Sequence, residues 1–290
     1  MRTGRRIRPA TTLAAIGMGL VVLLAGCAGS GSTAAKGEAG GLEQVRKEGV
    51  LRAGIRTDNP PHSFVDPSGK HVGFDVDIAG AIASRMGVRL EIVRVDELTR
   101  ISFLEKGTID VAVASMSKTR KRAQKIDFSQ TYFKSFQTFL VRKGQIGSLN
   151  DLVGKRVAAD RGSSAIGNWK EWLKKNGKPA EAQIEEFGDK QAAVAAVKQG
   201  SLAGYAEDYE ILASFAKNDP SLVVLNEPIG VKLDGIGVRE GTSSLREAVD
   251  FALQDMAASG EWRRIYDRWF GPDSNTPVPV QGELEVWPGG

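Results

Sequence analysis

Between residues 50 and 270, short strand-like runs and helix-like runs follow one another almost without interruption, and that alternation leaves few folds open. Val50–Ile55 reads as a strand, and 75–86 places Ile78, Ala79, Ile82, Ala83 and Met86 on one helical face. A strand at 90–95, a short helix at 100–106 and a buried strand at 111–114 follow. The pattern resumes at 155–159 and runs through 164–175, 184–187, Lys190–Gln199, 202–206 and 208–217. It closes with a strand at 234–238 and helices at 245–258 and Glu261–Phe270. Such a succession implies α/β layers, with helices packed on mostly parallel sheets. Two lobes of similar make-up fit it better than one doubly wound sheet. Trp262, Ile265, Tyr266 and Trp269 recur at helical spacing and read as core rather than as a ligand cage.

The ends read differently. Arg2, Arg5, Arg6 and Arg8 precede a 14-residue apolar or small run, 13–26, that ends in Leu24-Ala25-Gly26-Cys27. The run falls short of the roughly 20 residues a membrane-spanning helix needs. A basic head, a short apolar middle and small residues at the close describe a secretory signal peptide over 1–26. The last four residues resemble the bacterial lipobox, which implies acylation of Cys27, an anchor in the bilayer and an extracytoplasmic location on the outer face of the cytoplasmic membrane. Cys27 is the only cysteine, so no internal disulfide can form. Residues 27–41 are small and flexible in composition and read as a tether, while 272–290 reads as a peripheral tail. Four of the 39 basic residues lie in 1–26, which leaves 35 against 35 acids. A balanced charge gives no footprint for nucleic acid.

Gly73-Phe74-Asp75-Val76-Asp77-Ile78, followed by Ile82-Ala83 and Met86, resembles the signature of the family-3 bacterial extracellular solute-binding proteins. Thr99-Arg100-Ile101, Ser115 through Arg122, Ile126-Asp127-Phe128-Ser129, Gly162-Ser163-Ser164 and Asp208 extend the resemblance over nearly all of 42–271. It implies a receptor of a polar-amino-acid ABC importer: a two-lobed periplasmic-binding-protein (Venus flytrap) fold joined by two crossover strands. Here the crossovers fall near 139–142 and 234–238. Lobe 1 is then 42–141 plus 234–271, and lobe 2 is 142–233. The partners implied are an amino acid and a membrane permease, with the protein acting as a monomer and without cofactor or metal.

The resemblance also implies site residues. Arg122 would fork the ligand α-carboxylate, helped by Ser117 and Ser164, because guanidinium and carboxylate pair through two parallel hydrogen bonds. Asp208 would take the α-ammonium, with Ser115 and Ser117 as further acceptors. Arg56, Arg100 and Lys190 would converge on the ligand's distal end and select a carboxylate, as in glutamate/aspartate-binding members. Each residue also has a plain reading: Arg56 paired with Asp58, Arg100 with Asp96 or Glu97, Lys190 with Glu186, and Ser164 and Asp208 as helix caps. A receptor for glutamine, asparagine or another polar amino acid and a receptor that signals to a membrane sensor are the alternatives. An enzyme of the cyclohexadienyl dehydratase kind finds little support, since with only two histidines and one cysteine no nucleophilic triad, metal cluster or phosphate loop is evident.

Overall fold

The computed structural model describes residues 41–278 apart from 180 and 275, together with Leu284 and Trp287. The expected signal peptide, Cys27 and residues 28–40 of the expected tether lie outside the described residues.

The chain opens with α1 (Leu42–Glu48), β1 (Val50–Ile55), and three short strands, β2 (Asp58–Asn59), β3 (Ser63–Val65) and β4 (His71–Val72). Next come α2 (Phe74–Met86), β5 (Arg89–Arg94), α3 (Arg100–Glu105) and β6 (Val111–Ala112). A 17-residue strand, β7 (Ile126–Arg142), leads to β8 (Arg156–Asp160), α4 (Ala165–Lys175), β9 (Gln183–Phe187), α5 (Lys190–Gln199) and β10 (Gly204–Asp208). The remainder is α6 (Tyr209–Lys217), β11 (Leu222–Val224), β12 (Gly230–Arg239), α7 (Ser243–Ala258) and α8 (Glu261–Phe270). Among the described residues no helix is long and apolar enough to cross a membrane.

One nine-stranded sheet has the order β5-β1-β6-β12-β7-β10-β8-β9, with β11 also on β7. Its two ends are parallel: β1 with β5 and β6, and β8 with β9 and β10. The middle is the antiparallel pair β7 and β12, which runs through both halves. This is the expected two-lobed arrangement with two crossing strands. The first crossing lies earlier than 139–142. Tyr132 and Phe133 still belong to the lobe-1 core, whereas Phe139 and Val141 belong to that of lobe 2. The polar stretch Lys134 to Thr138 therefore makes the passage, and no apolar periodicity marks it. On the return strand the β7 pairing slips at Asp234/Gly235 and again at Gly235/Gly237, a bulge that bends a strand locally.

The helix α2 forms because Gly73 lets the chain turn sharply into it. Gly73 has φ 131°, and a Cβ there would stand 2.3 Å from the His62 carbonyl oxygen. Phe74, Ile78, Ala79, Ile82, Ala83 and Met86 are buried along its inner face. Asp75 and Asp77 do lie in the first turn of α2, but both make side-chain ties: Asp75 accepts from the Tyr132 hydroxyl at 2.8 Å, and Asp77 from Trp269 Nε1 at 2.9 Å. Trp262, Ile265 and Tyr266 are core residues, as their spacing implies.

The C-terminal segment departs from the peripheral reading. Thr276, Val278 and Leu284 are buried, the last two against the lobe-1 core, and Trp287 meets the Phe251 ring edge-on at 6.3 Å. Val278 and Leu284 thus join the lobe-1 core, which a composition rich in proline and glycine does not announce. Replacing both Val278 and Leu284 with alanine removes about 3–5 kcal/mol of burial. The thermal midpoint of this variant should fall by roughly 10 °C, read by circular dichroism.

Candidate ligand-binding site

The groups that meet between the lobes stand mainly at the carboxyl ends of parallel strands, where open α/β sheets form their crevices. Arg56 follows β1, and the segment Ser115 to Ser117 follows β6. On the other side, Gly162 to Ser164 follows β8 and Asp208 ends β10. Residues Met116 and Lys118 bond to β12 through Gly235 N to Met116 O (3.2 Å) and Lys118 N to Leu233 O (2.8 Å), which fixes Ser117 beside the crossing strands. Ser115 has φ 47°, and among the described residues it is the one non-glycine with a positive φ. Such backbone costs of order 1–3 kcal/mol and gathers at functional sites.

Five of the eight expected residues come together around one point. Arg122 is buried and donates through Nη1 to the Ser117 carbonyl (2.8 Å) and through Nη2 across the cleft to the Gly162 carbonyl (3.1 Å). Gly162 has φ 81°, which favours glycine, and a Cβ there would lie tightly against Leu98 Cδ2 at 3.2 Å. The Ser164 hydroxyl is 3.4 Å from that of Ser117, and Gln137 Nε2 donates to it at 3.1 Å. Ser164 stands at the N-cap position just before α4, yet its side chain makes no capping bond; the Ser163 hydroxyl accepts from Ala165 N instead. Asp208 likewise precedes α6 without capping it. Its carboxylate accepts from Gln137 Nε2 (2.9 Å) and Ser115 Oγ (3.4 Å) and pairs with Lys232 Nζ at 2.6 Å. A guanidinium of lobe 1 and a carboxylate of lobe 2 thus face the same group of serines.

The three distal cations are buried, but two of them are already matched. Arg56 pairs with Asp58 (3.1 Å) and Glu97 (2.8 Å). Burial alone would weaken its charge, but these acids more than compensate and hold its pKa above the usual arginine range. Lys190 pairs with Asp160 and with Glu207 (2.9 Å) rather than with Glu186. There too burial is outweighed by the acids, and the ammonium titrates above its ordinary range. Arg100 donates to the Ala114 carbonyl (2.7 Å), while its Nε is buried without a hydrogen-bond partner. Burial, reinforced by the charge of Arg122, pulls its pKa down to about 10. The expectation of three cations free to receive a carboxylate therefore needs correction: nearby acids balance two of them, Asp58 as the plain reading of Arg56 has it, and Glu97, Asp160 and Glu207 from elements distant in the chain, which neighbouring sequence does not reveal.

Glu97 decides the balance. One of its oxygens takes Arg56; the other, Oε2, is buried without a hydrogen-bond partner. Burial favours its neutral form, but Arg56, Arg100, Lys190 and Arg122 together keep its pKa below the usual range. A carboxylate oxygen of Glu97 lies within 4.8 Å of others on Asp160 and Glu207, across the lobes. A shallow cavity of about 110 Å³ opens beside this group, lined by Arg56, Asp58, Glu97, Leu98, Asp160 and Phe187, among others. Lys190 already supplies a cation to that acidic group.

Sequence reasoning also missed Lys232, Gln137, Glu210 and His62. One signal was present. In Val231-Lys232-Leu233-Asp234 the alternation is inverted, with Val231 and Leu233 exposed (73% and 41%) and both charged residues fully buried. Charged residues turned inward on a strand mark a polar interior. His62 lies between lobes against Glu210 (2.8 Å). Burial and the Lys232 charge push its pKa down, but Asp75 and Glu210 outweigh them and raise it to about 9. A raised histidine stabilises the fold fully below its unfolded value of about 6.5, and the contribution fades until pH passes 9. The unfolding free energy, read by urea titration at each pH, should decline from pH 6.5 to 9.5 by an amount on the order of 3 kcal/mol, and His62→Gln should flatten that slope.

The family model for bacterial extracellular solute-binding proteins, family 3, matches residues 51–272. The ABC transporter glutamine-binding protein GlnH of Bacillus subtilis is 32% identical over 274 residues, covering 90% of this chain and 97% of the relative. The L-cystine-binding protein TcyJ of Escherichia coli K12 is 28% identical over 264 residues, covering 90% and 96%. A solved ancestral arginine-binding protein bound to glutamine superposes with a TM-score of 0.70 at 35% identity, covering 77% of this chain and 98% of that one. With three quarters of its length matched and the two-lobed sheet in place, the chain belongs to the bacterial extracellular solute-binding proteins, family 3.

Proposed function

We propose that the protein is the substrate-binding component of an ABC importer and binds an amino acid with an uncharged polar side chain, of which glutamine is the best fit. The amino-acid reading is carried by Arg122 and Asp208, presented from opposite lobes over Ser115, Ser117 and Ser164. A zwitterion spanning them makes its full set of contacts only with the lobes together, so it stabilises closure. The side-chain reading rests on Glu97. A carboxamide can donate to its unpaired Oε2 and accept from the unpaired Nε of Arg100. A ligand carboxylate would meet Glu97 as a like charge, and a ligand guanidinium would meet Arg56 and Arg100. The name of the Bacillus subtilis relative, a glutamine-binding protein, supports this choice, and the ancestral structure, though named for arginine, holds glutamine.

A second reading, an acidic amino acid, draws on Arg100 alone, whose guanidinium makes one protein hydrogen bond by way of Nη1. Membrane anchorage through Cys27 and the pairing with a permease belong to the same proposal, since a receptor for import must stay near its transporter.

Calorimetric titration with glutamine, asparagine, glutamate, aspartate and arginine separates these readings. Glutamine should bind with a Kd of about 1 μM or tighter, roughly −8 kcal/mol. Glutamate should bind at least about tenfold more weakly, the cost of a mispaired buried group. Tight glutamate and weak glutamine would restore the acidic reading. Silence toward all five would remove the amino-acid proposal itself.

A further inference from the structure

Beneath Asp208, the described residues contain a second set of buried ionic contacts that binding chemistry does not require. Lys232, on the returning strand β12, is wholly buried. Its Nζ lies 2.6 Å from Asp208 Oδ2, 2.8 Å from Glu210 Oε1 and 3.0 Å from Asp234 Oδ2, and it donates to Ser115 Oγ at 2.9 Å. Glu210, in the first turn of α6, also accepts from the Ser135 hydroxyl of β7 at 2.6 Å. Its Oε1 meets His62 Nε2, on lobe 1, at 2.8 Å. His62 is wedged among the rings of Phe74, Phe133 and Phe270, at centroid distances of 6.0, 4.7 and 5.1 Å. Its Nδ1 faces Asp75 at 3.6 Å, and Asp75 in turn holds the Tyr132 hydroxyl.

The contacts form one unbroken line: Asp208, Lys232, Glu210, His62, lobe-1 core. The two lobes are joined along it, and both crossing strands contribute to it, β7 through Ser135 and β12 through Lys232 beside the bulge at Asp234/Gly235. Buried ion pairs are poor devices for stability, because well-packed apolar residues of similar volume stabilise as much or more. Among the described residues, Asp234, Asp75, Tyr132, Arg100 and, beside Asp208, Glu207 are further titratable groups facing the line. Burial, with Asp208 adding to it, lifts Asp234 to about 6 despite Lys232.

We infer that Lys232 is a positioning residue for the ammonium subsite and that, through Glu210 and His62, it ties Asp208 to the docked state of lobe 1. This rests on the zwitterion reading of Asp208. The His62–Glu210 contact bridges lobe 1 and lobe 2, so the relay holds the lobes together, slows ligand release and leaves association and side-chain preference unchanged.

The test uses the full chain with Glu210→Gln, and separately His62→Gln, which keeps a donor but no charge. Tryptophan fluorescence in stopped flow with glutamine reads the rates. Energy transfer between dyes on Lys47→Cys and Lys174→Cys, in a Cys27→Ser background, reads the lobe separation with and without glutamine. Expected for Glu210→Gln is release faster by about tenfold or more, association within about threefold of the parent, and an unchanged glutamine-to-glutamate ratio, with His62→Gln intermediate. Wider lobe separation in Glu210→Gln supports the relay even where the parent binds none of the amino acids, the outcome that fails the functional reading alone. Unaltered lobe separation in both folded variants overturns the relay, as does a loss confined to association.

Discussion

Arg122→Ala is expected to weaken binding of every amino acid by about a hundredfold to a thousandfold, measured by calorimetry. The guanidinium is buried, is aimed at the cleft from lobe 1 and already donates to carbonyls on both sides, Ser117 and Gly162. A ligand α-carboxylate placed there gains charge-assisted, bidentate bonds that no other side chain nearby can replace. Truncating one member of such a buried pair costs about 3–5 kcal/mol, because the other member is left desolvated and unpaired. Arg122→Lys should recover only part of the loss, since an ammonium keeps the charge without the planar fork. All ligands should lose alike, as the α-carboxylate is common to them. Retained binding in a folded Arg122→Ala protein, or a loss restricted to one ligand, would detach this residue from the zwitterion.

Glu97→Gln should change the preference between ligands by about tenfold to a hundredfold toward glutamate. The parent residue offers a buried, unpaired carboxylate oxygen to the distal pocket and occupies Arg56 with the other. Neutralising it removes the like-charge penalty on a ligand carboxylate and loosens Arg56, whose remaining partner is Asp58. The glutamine amide, meanwhile, loses its anionic acceptor. Paired titrations with glutamine and glutamate read the ratio directly. A ratio that stays put would transfer selectivity to Arg100 or to groups outside this pocket.

Much of the architecture was legible before any coordinates. The helix at Lys190–Gln199 and the strand at Val50–Ile55 have the bounds that periodicity implies, because local burial patterns are short-range. The 17-residue strand β7 was not legible beyond its ends, since its middle, Lys134 to Thr138, passes between two cores and belongs to neither. The tail was misread for a related reason: a few isolated apolar residues, Val278 and Leu284, anchor it, and isolated residues carry no period.

By itself the amino-acid sequence determined the order of elements, the two-lobed α/β class and the residue types that can grip a zwitterion, since these follow from local periodicity and from motifs a few residues long. Only the tertiary structure decided which charges remain available. Arg56 meets Glu97, Lys190 meets Asp160 and Glu207, and Lys232 reaches Asp208 because strands far apart in the chain end beside one another. Electrostatic energy depends on distance through space and on burial, neither of which is a property of a residue's place in the chain.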